Sequence, residues 1–572
     1  MRATSSLALL SLFSFAAANF PSSHHILASR DGNSCQILRE GATQQMRSLT
    51  DSNDVFVEER PQKVDHHGLA PTHSGRILEL IGQNPDVVRN RLNEYCSDVV
   101  EAPKKLVARA VADELIPIDQ SGDPANRIDV VFMGDGYQEA EKQRFIDDMT
   151  RLTHDMFTGN TFASYLPLFN IWGLFRPSVD SGIGVGGKPK NTPFGLYRDG
   201  TELRGIYPAK EDEARAACNA LKPYQCDFPS LIGNDDYYGG LGGEFVISTR
   251  SPTSGTVVLR HEMGHSFNDV GEEYDGGQVY DGVNSAPSLD KITWKKWLTG
   301  PLKEQRNVQR VQNYAWYDLA KGPYNVSFTS DGKYNRWFMK LSVSGAEVPD
   351  SFEAYLDGKR LPWKTSGILD RSFYTWFDDK NTLSAGNHTL VFKSGVAPQP
   401  GAPIRQLCSI TLHEYGKESE YHWDNNYINA YPTFDYQKRK TYRPTNERCL
   451  MRDMSSEQFC APCKEGLWEK FLSRVSLIDE LKFTPDQNGK KVEISLVPIK
   501  LAHLREKRIN NEKYTLNWFK NGKKQIQYTN KYKFTVPKKQ ATGEWTAELQ
   551  FRTNEVRSDP KNLLTSKKSI TI

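Results

Sequence analysis

The chain of 572 residues carries 73 basic and 70 acidic side chains, a formal charge of +3. Such a balance excludes the strongly basic footprint of nucleic-acid binding and points to no anionic polymer as partner. The length allows three or four domains, and no apolar run beyond the N-terminus approaches the roughly 18 residues that a membrane helix needs.

Residues 1–18 read as a secretory signal. Arg2 gives the positive start, residues 7–15 the short apolar run, and Ala16-Ala17-Ala18 the small-residue cleavage site. A secreted, extracellular protein without a membrane span is therefore expected. Residues 19–120 carry no chemical signature and are expected to be a pro-region or a β-rich domain. His24-His25 and His66-His67 read as solvated pairs. The eight cysteines face an oxidising compartment, so Cys35 is expected to pair with Cys96, and Cys218 with Cys226 across a local loop.

Order begins at residues 128–133, a nearly unbroken apolar strand that ends in Gly134-Asp135-Gly136-Tyr137. Residues 140–157 have Phe145, Met149, Leu152 and Met156 at helical spacing. Residues 169–175 form a second strand, residues 182–187 a flexible loop, and residues 245–248 a third strand after a glycine-rich approach. The segment 239–248 is expected to be an edge against which an extended peptide could pair. Strands and helices alternate here, so residues 121–300 read as the first part of an α+β catalytic core.

His261-Glu262-Met263-Gly264-His265 lies in an apolar helix. Four helical steps turn through about 400°, so both imidazoles share a face and can bind one Zn²⁺. Glu262 points about 100° away and is placed to act as general base on a metal-bound water. Flanking Val257, Val258, Leu259 and Phe267 carry these polar groups into an apolar interior, where they need a partner or a metal. The metzincin pattern would place a glycine where Asn268 stands and a third histidine where Gly271 stands. A carboxylate just beyond is the alternative third ligand: Glu273 is preferred, then Glu272, then Asp275. The bland reading, acids solvating a helix C-terminus, is disfavoured by the helix dipole.

Residues 301–400 read as an inserted β-sandwich with a hairpin turn at Asp357-Gly358. Trp337, Trp363, Trp376 and Phe377 offer rings for glycan contact, although sandwich core is the commoner use. The sequons at Asn325 and Asn387 predict a glycoprotein with both on exposed surface. Residues 401–483 return to the catalytic core. Cys449, Cys460 and Cys463, with Cys408 as fourth member, read as structural disulfides in preference to a metal knuckle or redox motif. Residues 484–572 alternate like an immunoglobulin-like β-sandwich, with a turn at Asn521-Gly522.

The segments at residues 131–137, Phe169-Asn170-Ile171-Trp172, His261-Glu262-Met263-Gly264-His265-Ser266-Phe267, Glu273-Tyr274 and Cys449-Leu450-Met451-Arg452 resemble the IgA-cleaving bacterial metallopeptidases and their secreted fungal relatives. The resemblance covers residues 129–298 and 407–471. It implies a metzincin-like zinc endopeptidase with His261 and His265 as ligands, Glu262 as general base, Glu273 as third ligand and Met451 in a turn beneath the metal. It does not carry the substrate beyond protein or peptide. Tyr274 and Tyr442 are candidates by position for stabilising an oxyanion. The rival expectation is a secreted glycan-binding or adhesion protein with a non-catalytic zinc site. A zinc hydrolase of non-peptide bonds has no feature in its support.

Overall fold

The computed structural model describes residues 23–31, 33–43, 55–61, 76–82, 84–100, 113–200, 205–222, 225–268, 270–277, 279–398 and 402–572. The signal segment and the His66-His67 pair lie outside them. The architecture is mixed α+β, with many sheets and few long helices.

Strands β1 (Ser23–Asp31), β2 (Ser34–Thr43), β3 (Val55–Pro61), β4 (Arg76–Gly82) and β5 (Asp98–Val100) form a sheet ordered β3-β4-β1-β2-β5. Helix α1 (Pro85–Tyr95) covers it. Asn84 caps this helix by accepting the Asp86 N–H, and Pro85 is preorganised for its first turn. Val88 and Leu92, one turn apart, bury against Ile26, Ala28, Leu78 and Leu80. A disulfide joins Cys35 to Cys96, as expected. His25 is not solvated. It is 1% exposed, with Nε2 3.0 Å from Glu79 Oε1 and Nδ1 3.2 Å from Glu244 Oε2. Glu244 also pairs with Arg215, and its N–H donates to Glu79 Oε1 at 2.6 Å.

The central sheet contains β6 (Glu114–Gln120), β7 (Ile128–Asp135), β8 (Phe169–Phe175), β11 (Phe228–Gly233) and β12 (Val246–Thr249), ordered β12-β11-β7-β8-β6. All neighbours are parallel except β6, which runs antiparallel to β8. Every residue of β7 is buried, as its unbroken apolar run requires of a strand covered on both faces. Val130 and Phe132 face helices α2 (Lys142–Met156) and α4 (Gly255–Phe267). Val131 and Met133 face the other layer. There lie the ribbon of β9 (Leu196–Arg198) and β10 (Ile206–Pro208) and helix α3 (Glu211–Asn219). The Cys218–Cys226 disulfide closes just after α3. Phe145, Met149 and Leu152 of α2 are fully buried, each side chain stabilising by about 1.5–3 kcal/mol. Among the described residues β12 is the sheet's edge, although Leu241 already bridges Ile247.

Two sheets follow. One contains β13 (Asn307–Asn313), β14 (Tyr317–Asp318), β16 (Arg336–Ser344), β19 (Ser372–Asp378) and β21 (Gln406–Tyr415). The other is β15 (Tyr324–Ser330), β20 (Gly386–Ser394), β17 (Phe352–Leu356) and β18 (Lys359–Arg360). They share one apolar core, and β21 carries it past residue 400. Trp337 and Trp376 are under 10% exposed in that core, and Trp363 packs edge-on against Phe352 and Tyr374. Phe377 stacks on Trp423. Asn325 and Asn387 are exposed on adjacent strands.

The chain then returns through β22 (Tyr431–Phe434), β23 (Lys440–Arg443) and α5 (Ala461–Leu472) to the central core. The C-terminal part has sheets β24 (Ile478–Pro485), β25 (Lys491–Pro498) and β28 (Lys533–Pro537), and β27 (Lys523–Lys524), β26 (Lys513–Lys520), β29 (Glu544–Arg552) and β30 (Thr565–Thr571). Trp518 meets Phe534 edge-on at 4.9 Å between them. Its first strand begins at Ile478, a few residues before the boundary expected at 484.

Candidate functional site

Helix α4 follows directly from β12 and ends at Asn268, which turns to extended backbone. The loop before it is gathered by one carboxylate. Ser251, Thr253 and Ser254 each donate a hydroxyl to Asp370 Oδ2, at 2.9, 2.9 and 2.6 Å. A negative charge beside a helix N-terminus is favourable. Asn268 donates to Cys463 O and is wedged against Gly466, where a Cβ would lie 2.5 Å from its amide. It thereby fixes the helix end without the glycine of the metzincin pattern.

The two imidazoles meet. His261 Nε2 and His265 Nε2 are 3.3 Å apart. His261 Nδ1 lies 3.3 Å from Leu450 O, and His265 Nδ1 lies 2.9 Å from Val270 O. With each Nδ1 turned to a backbone carbonyl, the two Nε2 atoms are left facing each other, the orientation in which both could bind one cation.

Glu272, not Glu273, completes the group. Its carboxylate is 3.4 Å from each Nε2. The preferred Glu273 is placed elsewhere. Burial alternates along residues 272–275, with Glu272 and Tyr274 half-buried and Glu273 and Asp275 buried. Asn284 holds this run by pairing with the Gly271 N–H and carbonyl. Glu273 faces Cys449, Cys460 and Cys463. Burial first, and then Cys449, push its carboxyl well above the usual range. Asp275 lies 2.6 Å from Arg452 and 2.9 Å from His413. Burial opposes its charge, but the Arg452 guanidinium and the hydrogen bond with His413 hold it well below the usual range. At the first cluster, burial disfavours charge on His265, yet Glu272 outweighs it and raises the imidazole to about 9. Burial likewise raises Glu272, but the two histidines hold it well below the usual range.

Three donors about 2.0–2.1 Å from a tetrahedral ion stand about 3.3 Å apart. The distances of 3.3, 3.4 and 3.4 Å among His261, His265 and Glu272 fit that set. Glu262 stands beside it, and a Cβ on Gly242 would fall 2.4 Å from Glu262 Oε2. Met451 is fully buried under the helix, where a Cβ on Gly264 would lie 2.9 Å from its sulfur. Its carbonyl accepts the Glu273 N–H at 3.0 Å.

A cavity of about 420 Å³ opens in front of the cluster. His261, Glu262, Glu272 and Tyr274 line it with Tyr238, Tyr314, Lys340, Arg371 and Phe373. Tyr442 is elsewhere, its hydroxyl on Glu304 at 2.5 Å. Sequence reading missed Tyr238, Tyr314, Lys340 and Arg371. The last two reach the cavity from β16 and the approach to β19, and no local pattern announces them. It also expected Cys408 with the other three cysteines. Cys408 is buried on β21 beside Ser344, and no disulfide joins Cys449, Cys460 or Cys463.

Residues 116–307 match the family model described as IgA Peptidase M64. Over that stretch the chain is similar to the IgA-cleaving metallopeptidases. The match spans β6 through α4 and includes both histidines, Glu262 and Glu272. No curated protein matches the chain. Among solved structures, a β-glucuronidase from Ruminococcus gnavus in complex with D-glucuronic acid is 7% identical over 44% of this chain and 36% of that one, with a TM-score of 0.12. A beta-glucosidase from Kluyveromyces marxianus in complex with glucose is 8% identical over 80% and 60%, with a TM-score of 0.14. The chain spans less than two thirds of either protein, and neither likeness bears on activity. No helix among the described residues is long and apolar enough to cross a membrane.

Proposed function

We propose that this metallopeptidase is a secreted zinc endopeptidase, with His261, His265 and Glu272 as ligands and Glu262 as general base. The observation that carries the reading is the pair of Nε2 atoms facing one another and a carboxylate at tetrahedral spacing. Two nitrogens and a carboxylate suit zinc, and three protein ligands leave a position open for chemistry. The ion supplies Lewis acidity to the scissile carbonyl and lowers the pKa of water. Glu262 takes the water's proton on its carboxylate and returns it to the leaving amine. The carbonyls of Leu450 and Val270 keep the imidazoles oriented while charge develops. Tyr274, beside Glu272 on the cavity wall, is the group best placed to donate to the oxyanion.

An extended peptide laid along the segment 239–248 would pass Glu262, which lies against Gly242. The two closed disulfides support an oxidising compartment, and hence secretion. The Met451 turn under α4 supports a metzincin-like core. The paired sheets support an inserted β-sandwich and an immunoglobulin-like C-terminal module. The rival glycan-binding reading draws on rings that serve mainly as sandwich core.

Glu262→Ala tests the mechanism. Casein cleavage should fall about 10²- to 10⁴-fold, with zinc content and thermal unfolding unchanged. Undiminished cleavage by a fully folded, zinc-loaded variant would falsify the assignment.

A further inference from the structure

Behind the paired histidines, three thiols and a carboxylate converge. One ligand atom each from Glu273, Cys449, Cys460 and Cys463 lies within 4.8 Å of the others. All four residues are at most 3% exposed. Cys449 Sγ and Cys463 Sγ are 3.8 Å apart, and Cys463 Sγ is 3.9 Å from Glu273 Oε1. These three thiols are unbridged in a molecule that closes Cys35–Cys96 and Cys218–Cys226. An internal pairing of three would in any case strand one. Asn284 donates to Glu273 Oε1 at 2.9 Å, but Glu273 Oε2 is buried with no hydrogen-bond partner, its neighbours being the thiols. An unpartnered carboxylate oxygen is costly in such a place.

A Zn–S bond of about 2.3 Å sets two sulfurs of a tetrahedral site about 3.8 Å apart, the separation of Cys449 and Cys463. We propose that Cys449, Cys460, Cys463 and Glu273 bind a second divalent ion of thiolate-preferring character, zinc first, as a closed structural site. Binding releases the thiol protons to solvent. Arg443 and Arg452 lie beside Glu273 and offset the excess negative charge.

The ion would join three pieces of chain that build the first cluster. Cys449 opens the turn whose Leu450 carbonyl orients His261. Cys460 and Cys463 form the start of α5. Glu273 is the buried neighbour of Glu272, which lines the cavity, so holding the one side chain inward helps to hold the other toward the histidines. The site neither opens to the cavity nor uses any residue that touches it.

The test uses the full secreted chain loaded with cobalt in place of zinc. Thiolate-to-cobalt charge transfer in the near ultraviolet is expected, and the histidine–glutamate cluster contains no sulfur to produce it. The band should persist in His261→Ala/His265→Ala, which retains one metal per chain against two in the parent, and it should weaken in Cys463→Ser. Alkylation after denaturation without reductant should label all three cysteines. A disulfide between any two of them in the metal-loaded protein, or cobalt protein without the band, overturns the proposal. Loss of proteolysis alone does not touch it, because the spectrum reads the sulfur site directly.

Discussion

Glu272 and Glu273 are chemically identical neighbours that turn to opposite surroundings. The sequence names both and cannot choose, because the choice depends on which of them the fold turns toward α4. By contrast His261, Glu262 and His265 are legible from spacing alone, since a helix converts an interval of four into a shared face. Gly242 illustrates what spacing conceals. A Cβ at this position would fall 2.4 Å from Glu262 Oε2, so Gly242→Ala should displace a flexible carboxylate and leave the backbone alone. We expect unchanged metal content and a loss of about 10²-fold in kcat/KM, the usual effect of a displacement near 1 Å; normal kinetics would show that the base has room to spare. Asp129 carries a pH signature. Burial outweighs its hydrogen bonds from Trp172 and Asn170 and raises its carboxyl to about 7. The folded protein therefore holds a proton that the unfolded chain releases near pH 4. Its contribution to stability is full below about pH 4 and is lost as pH rises toward 7, by at most about 1.4 kcal/mol per unit. Asp129→Asn should flatten the urea midpoint over that window relative to the parent; parallel curves would remove Asp129 as the cause.

At the scale of elements, the hairpins were the easiest to read. Asp357-Gly358 and Asn521-Gly522 both adopt positive φ at each position, as a two-residue turn between twisted strands demands. Strands β7 and β8 and helix α2 followed from unbroken or helically spaced apolar residues. The short β9, β10 and α3 lack such runs and went unseen. So did the role of Asp370, because 116 residues separate it from the Ser254 hydroxyl that it accepts. Asp370→Ala removes the shared acceptor for three hydroxyls at the start of α4. Hydrogen bonds to a charged group suggest a cost of about 2–3 kcal/mol, with weaker retention of the proposed zinc as the helix loosens. Equilibrium unfolding and dialysis against a chelator would measure both, and parent-like values in each would mean that the loop holds itself.

Across the whole molecule, the central core does not stop at the C-terminal module. Trp468 of α5 meets Tyr165 at 4.7 Å and Phe551 of β29 at 5.1 Å, and its Nε1 donates to Glu555 at 2.8 Å. The module and the core should therefore unfold together. Phe551→Ala, a large deletion from a fully buried site, should cost about 3–5 kcal/mol and lower one shared calorimetric transition. Two separated transitions in the parent would show that the contact is superficial.

The N-terminal sheet meets the same core at His25 and Glu79. His25 stands between Glu79 and Glu244, two carboxylates that would otherwise confront each other away from water. Glu244 is two residues from the glycine that faces Glu262. The N-terminal strands thus splint the bank of the cleft from outside, and whatever prises them away unsettles the rail on which a substrate would rest.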